Sequence, residues 1–435
     1  MTVLYIQEEN NSNQGIHERV VQWNRLFFQS GLSKECQCLL SEINFANTEF
    51  IRFIEVLLGY IAKANFDPKS FTVLGAKIFS HHLESFHTSL WDMIPPTTNT
   101  GRLRLIDAYL QQELGLQPSQ RLNFLEIGCG YPPVTFLETA DKFPGWHCTA
   151  IDPNFPELIL YDEQGNAACF DVKQQLSYIQ YNLQDNAIQP TKQSIAADKR
   201  RFMRTLHALS PVDKARLIEQ RQLILKPIDA YATDDRVLLA TGLQDYHPGK
   251  RFDVIRCINV FLYYPNEVIN HYLEKINELL VEGGYFIYGN VVETGGAVKF
   301  TVYRKEHQVL KKYYFCFDLL KFTQREFNGW WSYYPGHEDT LLLAELVRLI
   351  SEETNLFTAI NRRVDDFCQS KGYAYRDKDG FLHEKMPLMI IPEYEELNRN
   401  IFDSFSKDII AVLSKQGYTI RTSKLGLLSL DFTAP

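Results

Sequence analysis

The stretch Phe124-Leu125-Glu126-Ile127-Gly128-Cys129-Gly130-Tyr131-Pro132-Pro133 constrains this chain more than any other. It reads as a buried strand opening directly into a glycine turn, with an acid on the strand just before the turn. Downstream lies a second apolar strand, Cys148-Thr149-Ala150-Ile151, closed by Asp152-Pro153. A strand, a Gly-x-Gly turn, a helix and a second strand ending in an acid describe the nucleotide half-site of an open α/β sheet. Glycines let the backbone approach a ligand closely, and the acid accepts hydrogen bonds from ribose hydroxyls.

The position of the third glycine decides between nucleotides. A dinucleotide fold wants Gly-x-Gly-x-x-Gly, because the last glycine brings the helix near a pyrophosphate. Here that position is Pro133, preceded by Pro132. Two prolines remove two backbone N–H donors from the helix start and weaken any phosphate cradle built from amides. No Gly-Lys-Ser/Thr follows the turn, so a Walker loop is absent as well. The site is shaped for a nucleoside without phosphates.

Glu126-Ile127-Gly128-Cys129-Gly130 followed by Ala150-Ile151-Asp152 resembles motifs I and II of the class I S-adenosylmethionine-dependent methyltransferases. Arg251-Phe252-Asp253-Val254-Ile255-Arg256-Cys257-Ile258-Asn259-Val260 resembles the fourth strand of that fold. Pro265 to Leu280 reads as its helix, and Val281-Glu282-Gly283-Gly284-Tyr285-Phe286-Ile287-Tyr288 as the turn and fifth strand, with the Gly-Gly pair as a left-handed cap. The resemblance covers roughly residues 120 to 295. It implies an α/β fold, a Rossmann-like seven-stranded sheet, and S-adenosyl-L-methionine as cofactor.

The resemblance also implies roles for single residues. Glu126 with Gly128, Cys129 and Gly130 would hold the methionine end, and Asp152 the ribose. Leu243 and Asp245, delivered by a third parallel strand Arg236 to Thr241, would meet the adenine. Tyr181-Asn182-Leu183-Gln184-Asp185 is a competing copy of that segment, and the later one is preferred because Phe252-Asp253 follows at a short distance. The loop after the fourth strand faces the methyl group in this fold. There Asn259 would fix the cofactor or the substrate, and Tyr263 and Tyr264 would line the acceptor pocket or pack the sheet. His247 is the nearest histidine for a general base, although loop histidines are mostly solvated. Cys257-x-Asn259-Val260 also resembles, in part, the chemotaxis-receptor glutamate methyltransferases, with Ile258 where those enzymes carry an arginine. Pro133-Val134-Thr135 echoes a group of bacterial class I methyltransferase-like proteins.

The flanks are read from periodicity. Val21, Leu26 and Phe27 mark one side of an early helix, and Phe50, Ile51, Phe53, Ile54, Val56, Leu57 and Leu58 a helix buried on most sides. Residues 1–118 are expected as a helical amino-terminal region, broken at Pro95-Pro96 and resuming from Arg102 to Leu116. Arg102 and Arg104 are candidates for the cofactor's carboxylate, or plain exposed helix charges. Residues 119–296 form the expected core, with a hairpin and helical insertion at about 157–230: strands Leu158 to Tyr161 and Ala167 to Val172, then a helix from about Ala196 to Leu225. Residues 297–395 are expected as an aromatic-rich insertion carrying Tyr313, Tyr314, Phe315, Phe317, Phe322, Phe327, Trp330, Trp331, Tyr333 and Tyr334. These aromatics suit an acceptor pocket, a partner surface or ordinary core. A helix from about Asp339 to Ser351 and a hairpin around Asp377-Lys378-Asp379-Gly380 complete that segment. Residues 396–435 are expected as a helix, Ile401 to Lys415, and a terminal hairpin that completes the sheet.

Composition narrows the function classes. Lys and Arg total 45 against 53 Asp and Glu, a net charge of −8, which lacks the basic footprint of a nucleic-acid binder. No apolar run spans a bilayer and no signal-peptide pattern opens the chain, so a cytoplasmic, non-membrane protein is expected. The eight cysteines show no Cys-x-x-Cys and read as buried thiols. His81, His82 and His87 do not share a helix face, so no metal site is expected. The expectation is a methyltransferase acting on a small, partly apolar acceptor. The alternatives are a protein carboxyl (glutamate-type) methyltransferase or a non-catalytic cofactor-binding scaffold. A homodimer is left open.

Overall fold

Strands buried on both faces read as unbroken apolar runs, while strands with one wet face alternate, and this chain holds both kinds. The computed structural model describes residues 60, 63–65, 100–182, 192–232, 234–242, 249–291, 298–323, 336–373 and 391–433. Helix α1 (Arg104–Gln112) precedes strand β1 (Asn123–Ile127), helix α2 (Val134–Lys142) and strand β2 (His147–Asp152). Strands β3 (Leu158–Tyr161), β4 (Ala167–Phe170) and β5 (Leu176–Gln180) follow. Helices α3 (Lys192–Ala208) and α4 (Pro211–Glu219) then lead to β6 (Leu223–Leu225) and β7 (Val237–Thr241). Strand β8 (Phe252–Ile258) passes through a 3-10 turn at Phe261–Tyr263 into helix α5 (Asn266–Leu279) and β9 (Leu280–Val291). Strands β10 (Val298–Glu306) and β11 (Val309–Asp318) come next, then helices α6 (Glu338–Glu352), α7 (Thr354–Ser370) and α8 (Ile391–Lys415). Strands β12 (Ile420–Thr422) and β13 (Leu427–Asp431) close the chain. The elements fall into two units, one built on Arg121–Pro248 and the other on Gly101–Gln120 with Gly249–Pro435.

In the first unit β2 lies between β1 and β7, parallel to both, with Leu125 opposite Thr149 and Ala150 opposite Leu239. Phe124, Leu125, Ile127, Ala150 and Ile151 are buried, as strands covered on both faces require. Trp146 stacks on Phe143 at 3.9 Å and reaches Phe124 at 5.7 Å, sealing the end of α2 against the sheet. The segment read as a hairpin insertion is a second, four-stranded antiparallel sheet in the order β5-β4-β3-β6. Its core joins Leu158, Leu160, Ala168, Phe170 and Ile179 to Phe202 and Leu206 of α3. The hairpin turn is held by Asp162, whose Oδ1 accepts the amides of Gln164 and Asn166. The helical expectation ran to Leu225, but α4 ends at Glu219 and Leu223–Leu225 pairs with β3. Arg221 takes a left-handed φ of 57° and breaks the helix, and three apolar residues then cover the free edge of β3.

In the second unit β8 and β9 are parallel, and the sheet continues antiparallel through β10, β11, β13 and β12. Residues 298–318, expected within an inserted segment, are two strands of this sheet, and the terminal hairpin joins it through β11. Phe315, Phe317 and Phe322 are fully buried, so this part of the aromatic run is core. Tyr313 and Tyr314 lie beneath the guanidinium groups of Arg304 and Arg421, at 5.8 and 5.3 Å. The Gly-Gly pair does not cap α5. Leu280 turns straight into extended backbone, and Gly283, at φ 80°, sits in a bulge between the pairs Phe252–Leu280 and Val254–Tyr285. Arg256 is fully buried in β8, where its guanidinium meets the carboxylate of Asp107 from α1.

Parallel βαβ connections, an acid closing the second strand and an antiparallel return after β9 make the fold Rossmann-like, of the class I methyltransferase type. All six described cysteines are buried and unbridged, as expected; Cys36 and Cys38 lie outside the described residues. So do the early helices of Val21 to Phe27 and Phe50 to Leu58, His81, His82 and His87, the aromatics from Phe327 to Tyr334, and the turn at Asp377 to Gly380. Among the described residues no helix is long and apolar enough to cross a membrane.

Gly289, in β9 of the second unit, leaves no room for a side chain. A Cβ there would stand 2.2 Å from the Lys299 carbonyl oxygen and 2.5 Å from Phe300 Cα, both backbone atoms that cannot yield. Gly289→Ala is expected to destabilise the protein by about 3 kcal/mol, at the upper end of overpacking penalties. Chemical denaturation measures this, and a loss below about 1 kcal/mol would contradict the close approach.

Candidate nucleoside site

The candidate site is built where β1 and β2 end side by side. Register pairs Ile127 with Ile151, so the glycine turn after β1 and the acid closing β2 emerge together. Gly128 and Gly130 both take φ of 72°, a region that costs other residues steric strain. The Gly128 amide donates to the Ile151 carbonyl at 2.8 Å, extending the ladder by one residue. Asp152 then binds the turn: its Oδ2 accepts the Gly130 amide at 2.9 Å, and its Oδ1 the Asn154 amide at 2.8 Å. The carboxylate is only 4% exposed. Burial pushes its pKa up from the ordinary carboxylate value, and the two amides pull it back without cancelling that effect.

The neighbours of the turn come from the second sheet of the same unit and from the 3-10 turn Pro227–Tyr231. Gln180 Nε2 of β5 donates to the Tyr131 carbonyl at 3.2 Å, and the Tyr131 ring meets Tyr231 edge-on at 5.9 Å. Tyr178 is buried beside Cys169, close enough to Asp152 for the carboxylate's charge to raise its pKa further. Sequence reasoning missed Asn154, Tyr178, Gln180 and Tyr231. The first carried a readable signal, since an amide two residues after an acid is an Asx-turn donor. Tyr178 and Gln180 are brought in by β5 of the inserted sheet and Tyr231 by the 3-10 turn Pro227–Tyr231 that follows it, and no local pattern records that packing.

Of the expected cofactor residues, Gly128, Cys129, Gly130 and Asp152 are brought together at this turn. Glu126 lies on β1 and is 2% exposed. Cys129 is buried and its thiol donates to the Gly130 carbonyl at 3.4 Å. Leu243, Asp245 and His247 lie outside the described residues, as does most of the competing copy after Asn182. Asn259, Tyr263 and Tyr264 belong to the second unit. Asn259 takes a left-handed φ of 60°, and its side-chain amide is engaged on both sides by Val291: Nδ2 donates to the carbonyl at 2.7 Å and Oδ1 accepts the amide at 2.8 Å. Arg102 donates to the same carbonyl at 2.8 Å, and Arg104 pairs with Glu395. Tyr264 stands 5.7 Å from the Tyr272 ring and accepts a hydrogen bond from His337 at its carbonyl.

The donor set of the turn suits a nucleoside. Each carboxylate oxygen of Asp152 holds one amide and retains a lone pair, which is the acceptor a ribose hydroxyl needs. A phosphate is disfavoured twice, because the buried carboxylate repels it and Pro132 and Pro133 supply no N–H. The Val134 amide, next in line, donates to the Pro132 carbonyl. Among the described residues no three His, Cys, Asp or Glu side chains gather as a metal site.

No family model matches the chain, and no curated protein matches it. Solved structures do. PKMT2 from Rickettsia typhi in complex with AdoHcy is 14% identical, covers 46% of this chain and 26% of its own, and superposes with a TM-score of 0.21. Coclaurine N-methyltransferase bound to N-methylheliamine and SAH is 12% identical over 64% of this chain and 58% of its own, with a TM-score of 0.23. The 1,6-didemethyltoxoflavin-N1-methyltransferase of Burkholderia thailandensis is 17% identical over 52% and 69%, with a TM-score of 0.23. The chain thus spans about a quarter of the first of these structures and under three fifths of the second. Likeness at this level says nothing of what the chain binds or does.

Asp152→Ala strands the amides of Gly130 and Asn154 and is expected to cost about 2–4 kcal/mol, offset in part by removal of a buried charge. A carboxylate whose folded pKa is raised contributes its full stability below its unfolded pKa and loses it as pH rises through the folded value. The cost of Asp152→Ala should therefore shrink as pH rises from the ordinary carboxylate value through the raised one. Denaturation of both proteins across that range checks the sign; a cost that grows with pH would contradict the burial assigned to Asp152.

Proposed function

We propose that this chain is an S-adenosyl-L-methionine-dependent methyltransferase. Asp152 receives the ribose, and the turn Gly128-Cys129-Gly130, with Glu126 beneath it, receives the amino-acid end. Leu243 and Asp245 are proposed for the adenine. The observation that carries this reading is the carboxylate of Asp152 closing β2 while gripping the glycine turn of β1, in a site that offers acceptors to hydroxyls and few donors to phosphate.

When bound, the cofactor supplies an electrophilic methyl group on a sulfonium. The chain's own contribution is alignment and exclusion of water, since an in-line displacement needs little else. Gly128 and Gly130 hold the backbone open for close approach, and Tyr131, Tyr178 and Tyr231 keep the turn's surroundings apolar. A negative charge fixed at the turn also favours a cationic ligand over an anionic one. The proposed acceptor is a small, partly apolar molecule, and the sequence resemblance offers Tyr263, Tyr264 and His247 as the residues to test for catalysis. A second reading, a non-catalytic cofactor-binding scaffold, is favoured by the depth of Asp152, both of whose oxygens are already engaged.

Calorimetric titration of S-adenosylmethionine and S-adenosylhomocysteine separates these outcomes. Both ligands are expected to bind the wild type, and Asp152→Asn, which keeps one acceptor oxygen, should weaken them at least tenfold, or ~1.4 kcal/mol, while a melting curve shows it folded. No binding at millimolar ligand sinks the cofactor reading altogether. Binding without methyl transfer to any nucleophile of a broad acceptor panel would favour the scaffold.

A further inference from the structure

The second unit holds a cavity of about 260 Å3, just under the ~300–1,000 Å3 usual for small-molecule pockets. One wall is apolar, made by Phe261, Leu262, Ile269 and Leu273. The opposite wall comes from Tyr288 and Asn290 of β9 and Lys299 and Tyr303 of β10. The first turn of α6, from His337 to Thr340, closes it. Asn266 and Asn270, from the first turns of α5, also face the cavity, and that helix starts at Pro265 with no side chain capping its amides.

The charges around this cavity are unevenly partnered. Lys299 is 3% exposed and its Nζ donates to Thr340 Oγ1 at 2.8 Å, a neutral partner. The two acids have donors of their own. Asp339 Oδ2 accepts from Thr301 Oγ1 at 2.7 Å, Tyr288 hydrogen-bonds to the same carboxylate, and Lys312 Nζ lies 3.7 Å from its Oδ1. Glu338 is met by Lys312 at 2.7 Å and is largely in solvent. His337 meets the Tyr264 carbonyl through Nε2 at 2.8 Å, so Nε2 carries the proton, and burial holds the ring's pKa down to about 4, which keeps it neutral. Among the described residues this cation has only a neutral hydroxyl in hydrogen-bond contact; next to the positive end of a 14-residue helix and an apolar wall, it is the complement of an amphiphilic anion.

We propose that this cavity binds a small monocarboxylate with an aromatic or alkyl body, its carboxylate seated between Lys299 and the amino-terminal turn of α5. The body lies against Phe261, Leu262, Ile269 and Leu273. The inference stands on the second unit alone and does not depend on the cofactor reading.

Proton uptake follows from the same geometry. Burial holds Lys299 down to about 7, with Asp339 raising its pKa and Lys321 lowering it. Tyr288 and Tyr303 stay neutral, because burial and Asp339 hold both phenols above their ordinary value. An arriving carboxylate favours the charged amine and raises its pKa. Below about pH 7 the amine is already charged and binding takes up no proton. Above it, binding draws up to one proton from solvent, and affinity falls by roughly tenfold per pH unit.

The test titrates the full chain with benzoate, phenylpropionate and hexanoate, against benzylamine, phenylpropylamine and hexylamine. Titrations at about pH 8 in two buffers of different ionisation enthalpy count the protons. Carboxylate binding is expected, with proton uptake that vanishes at about pH 6 and an affinity cut at least tenfold in Lys299→Met. Melting curves confirm that variant is folded, and its titration with S-adenosylhomocysteine should match the wild type. Preference for the amines, carboxylate binding unchanged in Lys299→Met, binding without proton uptake, or no binding at millimolar ligand would each overturn the proposal.

Discussion

A buried carboxylate holds the glycine turn of the first unit in shape. Asp152 ends β2 and takes the Gly130 amide from across the turn with one oxygen and the Asn154 amide with the other. Hydrogen bonds to a charged acceptor contribute about 1.5–3 kcal/mol each, against several kcal/mol for burying the charge, so the group is a small net contributor to stability. What it fixes is conformation. Two glycines at φ 72° have no preference of their own for this turn, and the carboxylate selects it. The same arrangement leaves each carboxylate oxygen with one amide and a further lone pair, the feature on which the proposed ribose contact rests.

The second unit solves a different problem, that of packing a mixed sheet, parallel at β8 and β9 and antiparallel beyond, against helices. Its strands come close enough at Gly289 that no side chain fits, and β8 carries the buried Arg256 whose charge Asp107 of α1 answers. Removing one member of such a pair leaves an uncompensated charge, whereas the pair itself adds little to stability. The pair ties α1 to β8 at one point. Lys299 of β10 is buried without such an answer: its Nζ donates to the Thr340 hydroxyl, and Asp339 is bonded to Thr301.

Much of the fold was legible because it is written in local chemistry. The apolar runs of β1, β2 and β8, the glycines after β1 and the acid after β2 are each consecutive residues doing consecutive jobs. Legibility failed where partners are distant. Leu223-Ile224-Leu225 reads as the tail of a helix until β3 offers it an edge, and Gly283-Gly284 reads as a helix cap until the bulge opposite Phe252 and Val254 is seen. Phe315 and Phe317 gave no sign whether they line a pocket or fill a core, since an aromatic side chain serves both. At the site, Asp152 and the glycines were named from spacing, while Tyr178 and Gln180 arrive through a sheet folded from residues dozens of positions away. Asn259 was singled out for a ligand, and both ends of its side-chain amide are bonded to Val291.

Amide chemical shifts of Gly128, Gly130 and Asn154, followed by nuclear magnetic resonance while S-adenosylhomocysteine is added, test the nucleoside site most directly. Saturable shifts at these three amides, with those of Asp162 to Asn166 at the far hairpin turn unmoved, are the expected result. Shifts that leave Gly130 and Asn154 untouched, or none at saturating ligand, would show that the turn gripped by Asp152 is a structural corner and not a binding site.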